Sequence, residues 1–374
     1  MCYYIFALNI KYMKTKLLII LSAIVLAGCA GNTIEESNTL EPVKIGVLVP
    51  LSGGASAYGE EMMMVLNHKN QMLETPAELY FEDSKCEAGA AVTAFQKLVD
   101  INGVDAILGG FCSSETLAIE PLLAQNDIVA LSATSSSPEI EGKSKNLLTI
   151  GYSDVVIADT MAADIMDSDK IAIITEQNDY NVALKNSLEE RLGDKIIANE
   201  SFEKNATDMR NIIEKVKASN PEVLILNPNV GDTSINLLNQ LAESQEFFEN
   251  VKLVSQETYV ADDSRSQAPE LAESMTLFAA PSLDSQEVTS FIESLPSSVD
   301  TLGVFYSATA SDALENLVRS VNDSRINQTS VQEELFTNPL TGLSSSGKSF
   351  DGNNFLQGIE AGKYVVTDGK AVLQ

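Results

Sequence analysis

The sequence predicts an α/β protein built from two doubly wound parallel sheets, and three observations carry that expectation. Short apolar runs alternate with amphipathic segments of helical length, the pattern of strands joined by crossover helices. The alternation runs through residues 43–151 and starts again through 170–280, so it implies two domains rather than one long sheet. The chain has 374 residues, 44% of them hydrophobic, enough for about two cores.

The first element stands outside that pattern. Lys11, Lys14 and Lys16 precede LLIILSAIVLAG (17–28) and then Cys29. An apolar core of about a dozen residues is short for a membrane span and right for a signal peptide, here residues 1–29, for which Met13 is a more ordinary start than Met1. LAGC (26–29) resembles the lipobox of prokaryotic lipoproteins, in which the peptide is cut before the cysteine and the cysteine receives lipid. Cys29 is therefore the expected lipidation site; the alternative, a single uncleaved helix, holds the folded part on the same side of the membrane. AGNTIEESNTLEP (30–42) reads as a polar tether. No later run approaches the length of a transmembrane helix, so the mature protein is expected to be extracytoplasmic, anchored to the outer side of the cell membrane and not spanning it.

In the first series the strands are VKIGVLV (43–49), ELYFED (78–83), VDAILGG (104–110), IVALS (128–132) and NLLTIG (146–151), with helical patterns over 58–73, 88–100 and 114–125. In the second they are KIAIITEQ (170–177), KIIANESF (195–202), EVLILNP (222–228), KLVSQE (252–257) and MTLFAA (275–280), with helical patterns over 182–192, 208–219 and 233–244. Residues 285–374 add helical patterns over 286–295 and 303–322, then strand-like GKSFDG (347–352) and GKYVVTDGKAV (362–372). This last region is too small for a domain of its own and completes the other two. The expected division is 43–150 with 283–340 as one lobe and 151–282 with 341–374 as the other.

Composition removes several classes of function. Lys plus Arg number 24 against 53 Asp plus Glu, a formal charge of −29 spread along the chain, which argues against nucleic acid or an anionic membrane surface as partner. Cys2 lies in the segment to be removed and Cys29 in the lipobox, leaving Cys86 and Cys112. Outside the cell such a pair usually bonds, and closing a loop of about 27 residues would contribute ~3.5 kcal/mol in the chain-entropy model; two free buried thiols are the alternative. Each follows a strand-like run, at the carboxyl end of a strand, and those two strands could be neighbours in one sheet. No metal is expected, since there is no CxxC and His68 is the one histidine. It falls inside a helical pattern, as a solvated or packed side chain, so Ser113 and Ser114 have no base to activate them. Walker A and GxGxxG are absent, and neither a cofactor nor catalysis is expected.

In open parallel sheets a ligand sits beyond the carboxyl ends of the strands, where loops meet helix N-termini. GGFCSSETLAIEP (109–121) lies at such a point: Ser113, Ser114 and the unpaired amides opening the next helix make a donor cluster suited to a carboxylate. SATSSSPEI (132–140) leaves the next strand at the same edge, although serines also cap helices and close turns without any ligand. Glu257, beside Tyr259 at a strand end, suits an ammonium or is a solvated loop acid. Tyr58 and Tyr180 follow strand-to-helix turns, where position alone makes them packing residues. Four sequons, at Asn199, Asn205, Asn322 and Asn327, permit glycosylation without deciding anything.

VKIGVLVPLSGGASAYGEE, EDSKCEAGAAVTAFQKLV, GGFCSSET, ALSATSSSPEI and IAIITEQNDYNVAL together resemble the type I periplasmic binding proteins of the leucine, isoleucine and valine ABC transporter family, over nearly all of 43–374. The resemblance implies two Rossmann-like lobes joined by three crossovers and closing on an amino acid, branched-chain or related, and it supports the Cys86–Cys112 disulfide. Its carboxylate grip falls on Ser113, Thr134 and Ser136, its aromatic contacts on Tyr58 and Tyr180, and its ammonium-binding acid on Glu257. The chain departs from the family at LNPNVGD, where Asn229 and Val230 stand in place of an aromatic, and at Asn181, where a small residue is usual; the side-chain pocket is thereby altered. The function so implied is a lipid-anchored substrate-binding protein that hands its ligand to the permease and ATPase subunits of an importer. A sensor domain reporting to a signalling partner, or a binder of an amide or other small carboxylate, is the alternative.

Overall fold

The apolar runs form strands whose burial follows their place in a sheet. In a computed structural model that describes residues 41–374 except 261–263 and 301, the first series becomes β1 (Lys44–Val49), β2 (Glu78–Asp83), β3 (Ala106–Leu108), β4 (Ala130–Ser132) and β5 (Leu147–Thr149). They pair in the order β2-β1-β3-β4-β5, all parallel. The second sheet takes β6 (Ile171–Gln177), β7 (Ile196–Glu203), β8 (Val223–Asn227), β9 (Lys252–Gln256) and β10 (Thr276–Ala279), again parallel, and gains the antiparallel hairpin β11 (Gly362–Thr367) and β12 (Lys370–Leu373) on the β10 edge. Central β8 is buried throughout, whereas edge strand β7 alternates exposed and half-buried positions, as helix-covered interior strands and water-facing edges require. The expected signal peptide, Cys29 and nearly all of the tether lie outside the described residues.

The helices are α1 (Ser56–Met72), α2 (Ala88–Lys97), α3 (Ser113–Gln125), α4 (Val155–Ile165), α5 (Asp179–Leu192), α6 (Arg210–Ser219), α7 (Asp232–Ala242), the single turns α8 (Gln245–Phe248) and α9 (Pro269–Ala272), α10 (Gln286–Ser294), α11 (Gly303–Asn327) and α12 (Val331–Thr337). Each sheet has a core on either face, and the period of two sorts side chains between them. In β1, Ile45, Val47 and Val49 point to one core and Leu48 to the other. In β6, Ala172 and Ile174 are divided from Ile171 and Ile173 in the same way.

Four expectations are corrected. GKSFDG is no strand: it makes one isolated bridge, between Phe350 and Leu356, because its Gly, Lys, Ser and Asp residues offer a single apolar side chain to a core. Helices α4 and α12 were not foreseen. The strands before Cys86 and Cys112 are not adjacent, for β1 lies between β2 and β3, and the two loops meet over its carboxyl end. Finally, residues just beyond 340 pack with the first sheet rather than the second: Phe350 and Leu356 enter one of its cores and Phe355 the other, while Val366 of the terminal hairpin enters the second sheet's core. A buried carboxylate ties this segment down. Asp312 of α11 accepts the amides of Leu343, Ser344 and Ser345 at 2.6, 2.8 and 2.9 Å. Gly342 at φ +132° lets the loop wrap it, since a Cβ there would lie 2.1 Å from the Asp312 Oδ1. The chain thus passes between the sheets three times, after β5, after β10 and before β11.

Candidate functional site

Both sheets reverse their strand order once, between β1 and β3 and between β6 and β8, and the carboxyl ends at those two switch points face one another. Between them lies a cavity of about 480 Å³. Tyr58, Ser113, Ser114, Thr134, Ser136, Tyr180 and Glu257 all line it, whereas Tyr259, the ring beside Glu257 that could have added a cation–π contact, is buried in the second sheet's core with its hydroxyl on the Ser234 carbonyl at 2.8 Å.

The first wall is the start of α3. Cys112 is its N-cap, bonded to Cys86 with the Cα atoms 5.4 Å apart, and its amide donates to the Glu115 Oε2 at 2.9 Å. Glu115 is wholly buried, and burial pushes its carboxyl up to about 7. The amides of Ser113 and Ser114 open the helix and have no carbonyl a turn behind them. The Ser113 Oγ accepts from the Ser137 amide at 3.2 Å, which leaves its own proton to donate into the cavity. Thr134 and Ser136 are turned the other way. The Thr134 hydroxyl donates to the Phe111 carbonyl at 2.6 Å and the Ser136 hydroxyl to the Asp154 Oδ2 at 3.0 Å, so each keeps lone pairs, not a proton, for anything else. These two side chains are acceptors where a carboxylate grip would want donors; what they can offer a carboxylate is their backbone amides.

The facing wall belongs to Glu257, the first residue after β9. Its Oε2 accepts from the hydroxyls of Tyr306 and, at 3.0 Å, Tyr152; its Oε1 accepts from the Tyr180 hydroxyl at 3.5 Å. Burial raises its carboxyl above the usual range, and the three phenols work against that rise without cancelling it. Asp154, with no exposed surface, is raised well above the carboxylate range by burial first and by the Glu257 charge second, and its Oδ1 is buried without a partner. Two neighbouring carboxyls, Asp154 wholly buried and Glu257 partly so, form with the hydroxyls beside them an acceptor cluster suited to a cation. A carboxylate has about four acceptor positions, and three phenols leave Glu257 room for one more donor.

Sequence reasoning missed Tyr152, Asp154 and Tyr306. GYSD follows β5 where a helix begins and marks Asp154 as a helix-start acid; nothing local marks Tyr306, which lies within α11. Apolar residues complete the lining, among them Phe111, Val230, Leu283 and Phe305, with Tyr58 edge-on to Phe111 at 6.2 Å between ring centres. His68 is a packing residue, its ring bonded to the Ser294 hydroxyl at 2.9 Å and 6.0 Å from Phe291. Among the described residues one group of thiol and carboxylate atoms is close enough to hold an ion, Cys86, Cys112 and Glu115, and the disulfide occupies both sulfurs.

The profile of the family described as "Periplasmic binding protein" matches residues 42–357, and the chain belongs to that family. An "Amino acid binding protein" of Pseudomonas aeruginosa is 25% identical over 213 residues, 52% of this chain and 57% of that protein; the chain spans about half the length of the curated relatives it matches. Among solved structures, a leucine binding protein from Thermotoga maritima superposes with a TM-score of 0.75 at 18% identity, covering 89% of this chain and 97% of that one. An ABC transporter solute binding protein from R. palustris, in complex with 4-hydroxybenzoate, does so at 0.77 and 16%, covering 89% and 96%. These likenesses establish the fold, the two-lobed α/β architecture of type I periplasmic binding proteins.

Proposed function

We propose that the protein is an extracytoplasmic substrate-binding protein, held at the membrane by a lipid on Cys29, that closes on an α-amino acid and delivers it to the permease and ATPase of an importer. The observation that carries the reading is the opposition of two charge preferences across one cavity. At the α3 N-terminus, the Ser113 hydroxyl and the free amides favour a carboxylate. On the other side Glu257, backed by Asp154, favours an ammonium. A zwitterion satisfies both, and the apolar lining then takes its side chain. Matching by Leu/Ile/Val-binding relatives supports an amino acid, while the benzoate-bearing neighbour supports a plain aromatic acid. The acid pair favours the former, because an ammonium brings Glu257 the opposite charge that a plain carboxylate ligand lacks. A thermal-shift screen against the amino acids and against benzoate and 4-hydroxybenzoate tests this. A true ligand at a hundred times its dissociation constant stabilises by ~2.7 kcal/mol. Stabilisation by amino acids alone is expected; stabilisation only by the benzoates would replace this reading with the aromatic-acid one.

A further inference from the structure

The two departures from the family pattern in the second lobe, Asn181 and the Asn229–Val230 loop, meet in one buried hydrogen-bond network. Asn181 in α5 has no exposed surface; its Nδ2 donates to the Asn227 Oδ1 at 2.8 Å and to the Pro228 carbonyl at 3.1 Å, and its Oδ1 accepts from the Asn178 Nδ2 at 2.6 Å. Asn227 returns its own Nδ2 to the Asn181 carbonyl at 2.8 Å. The Pro228 carbonyl takes two more donors from the end of β9, the Gln256 Nε2 at 2.8 Å and the Thr258 hydroxyl at 3.1 Å. One residue further on, the Asn229 amide donates to the buried Glu176 carboxylate at 2.9 Å.

A carbonyl oxygen has two lone pairs, so three donors around Pro228 over-determine where this loop sits. In a low-dielectric interior a network with its partners satisfied is rigid. Asn229 and Val230, the next two residues, line the cavity, whereas Asn181 and Gln256 do not. We propose that Asn181 is a specificity-determining positioning residue: by holding the Pro228 carbonyl it sets the Asn229–Val230 wall against which the ligand's side chain rests, and so decides which side chains fit. This builds on ligand binding in the cavity as proposed above. A wall held in one place separates ligands that differ by one methylene roughly 10- to 200-fold, and a wall that yields to either neighbour loses that ratio.

The test uses calorimetric titration of the wild type, Asn181→Ala and Gln256→Met with glycine, alanine, valine, leucine, phenylalanine, benzoate and 4-hydroxybenzoate, together with hydrogen exchange over 227–231 in the ligand-free proteins. Gln256→Met reaches the same carbonyl from another strand, which keeps the test open if Asn181→Ala folds poorly. The ratio between the best ligand and its nearest smaller or larger homologue is expected to fall about tenfold in both variants, with faster exchange at Asn229 and Val230. A brace that serves only stability would weaken all ligands by one factor; unchanged ratios, or unchanged exchange across the loop, overturn the proposal. A wild type that binds nothing in the panel defeats the proposed function instead, while the exchange result still judges the brace.

Discussion

Glu257 and Asp154 set the pH response of the cavity. Both carboxyls are raised by burial, so protons compete with a ligand ammonium for them. Affinity for an amino acid is expected to fall as pH drops, with proton release on binding seen as a buffer-dependent enthalpy. Glu257→Gln keeps the shape and removes the charge. Truncating a desolvated charged contact costs on the order of 2 to 5 kcal/mol, so affinity should drop roughly 30-fold to several thousand-fold. The ligand-free melting temperature at about pH 8 should be equal or higher, since a carboxyl whose folded pKa is raised withdraws stability as pH climbs through it. Wild-type affinity in that variant would point to a ligand without an ammonium. Glu115 gives a separate signal. With its pKa raised from an ordinary 4.5 to about 7, the stability it contributes is complete below the lower value and lost through the upper one. Glu115→Gln should therefore flatten the pH profile of thermal melts and lead the wild type by up to the order of 3 kcal/mol above about pH 7. Parallel profiles for the two proteins would show that Glu115 does not titrate there.

Among the elements, the start of α3 depends most on a cross-link. The Cys86–Cys112 bond spans 26 positions and fastens the loop after β2 to the N-cap whose amides face the cavity. Replacing both cysteines by alanine should lower stability by ~3.5 kcal/mol in the chain-entropy model. In the native protein, neither sulfur should react with an alkylating agent until a reductant is added; prompt labelling would contradict the pairing. Element by element, much of this was legible. Apolar runs announced β1, β6 and β8 because parallel strands covered on both faces must be apolar at every position. Helix α4 was legible and overlooked: Ile157, Ala158, Met161, Ala162 and Ile165 recur at helical spacing and all are buried. The order of β1 between β2 and β3 was not legible, since a crossover rule constrains handedness but leaves open which strands become neighbours.

For the whole molecule, the expected anchor and the observed cleft fit one working arrangement. Lys204 beyond β7 donates to the Cys86 carbonyl at 3.2 Å and lies 3.9 Å from Glu87, so the loops of the two sheets touch beside the cavity. Gly231 approaches so closely that a Cβ there would come within 2.9 Å of the Gly54 carbonyl oxygen. Cys29→Ser should move the protein from the membrane fraction into the soluble extracytoplasmic one; retention unchanged by the substitution would remove the lipid anchor from this account. The sequence by itself determined two parallel-sheet lobes, a cysteine pair and the seven cavity residues that strand ends and family resemblance marked, because burial on both faces and helix-start donors are local demands written at local spacing. Only the tertiary structure decided that Tyr152 and Tyr306 ring Glu257, that Asp154 stands behind Ser136, and that Asn181 reaches Pro228. Those partners lie 105, 49, 18 and 47 positions apart, and a hydrogen bond between distant segments depends on how the sheets are set against each other, which no local pattern records.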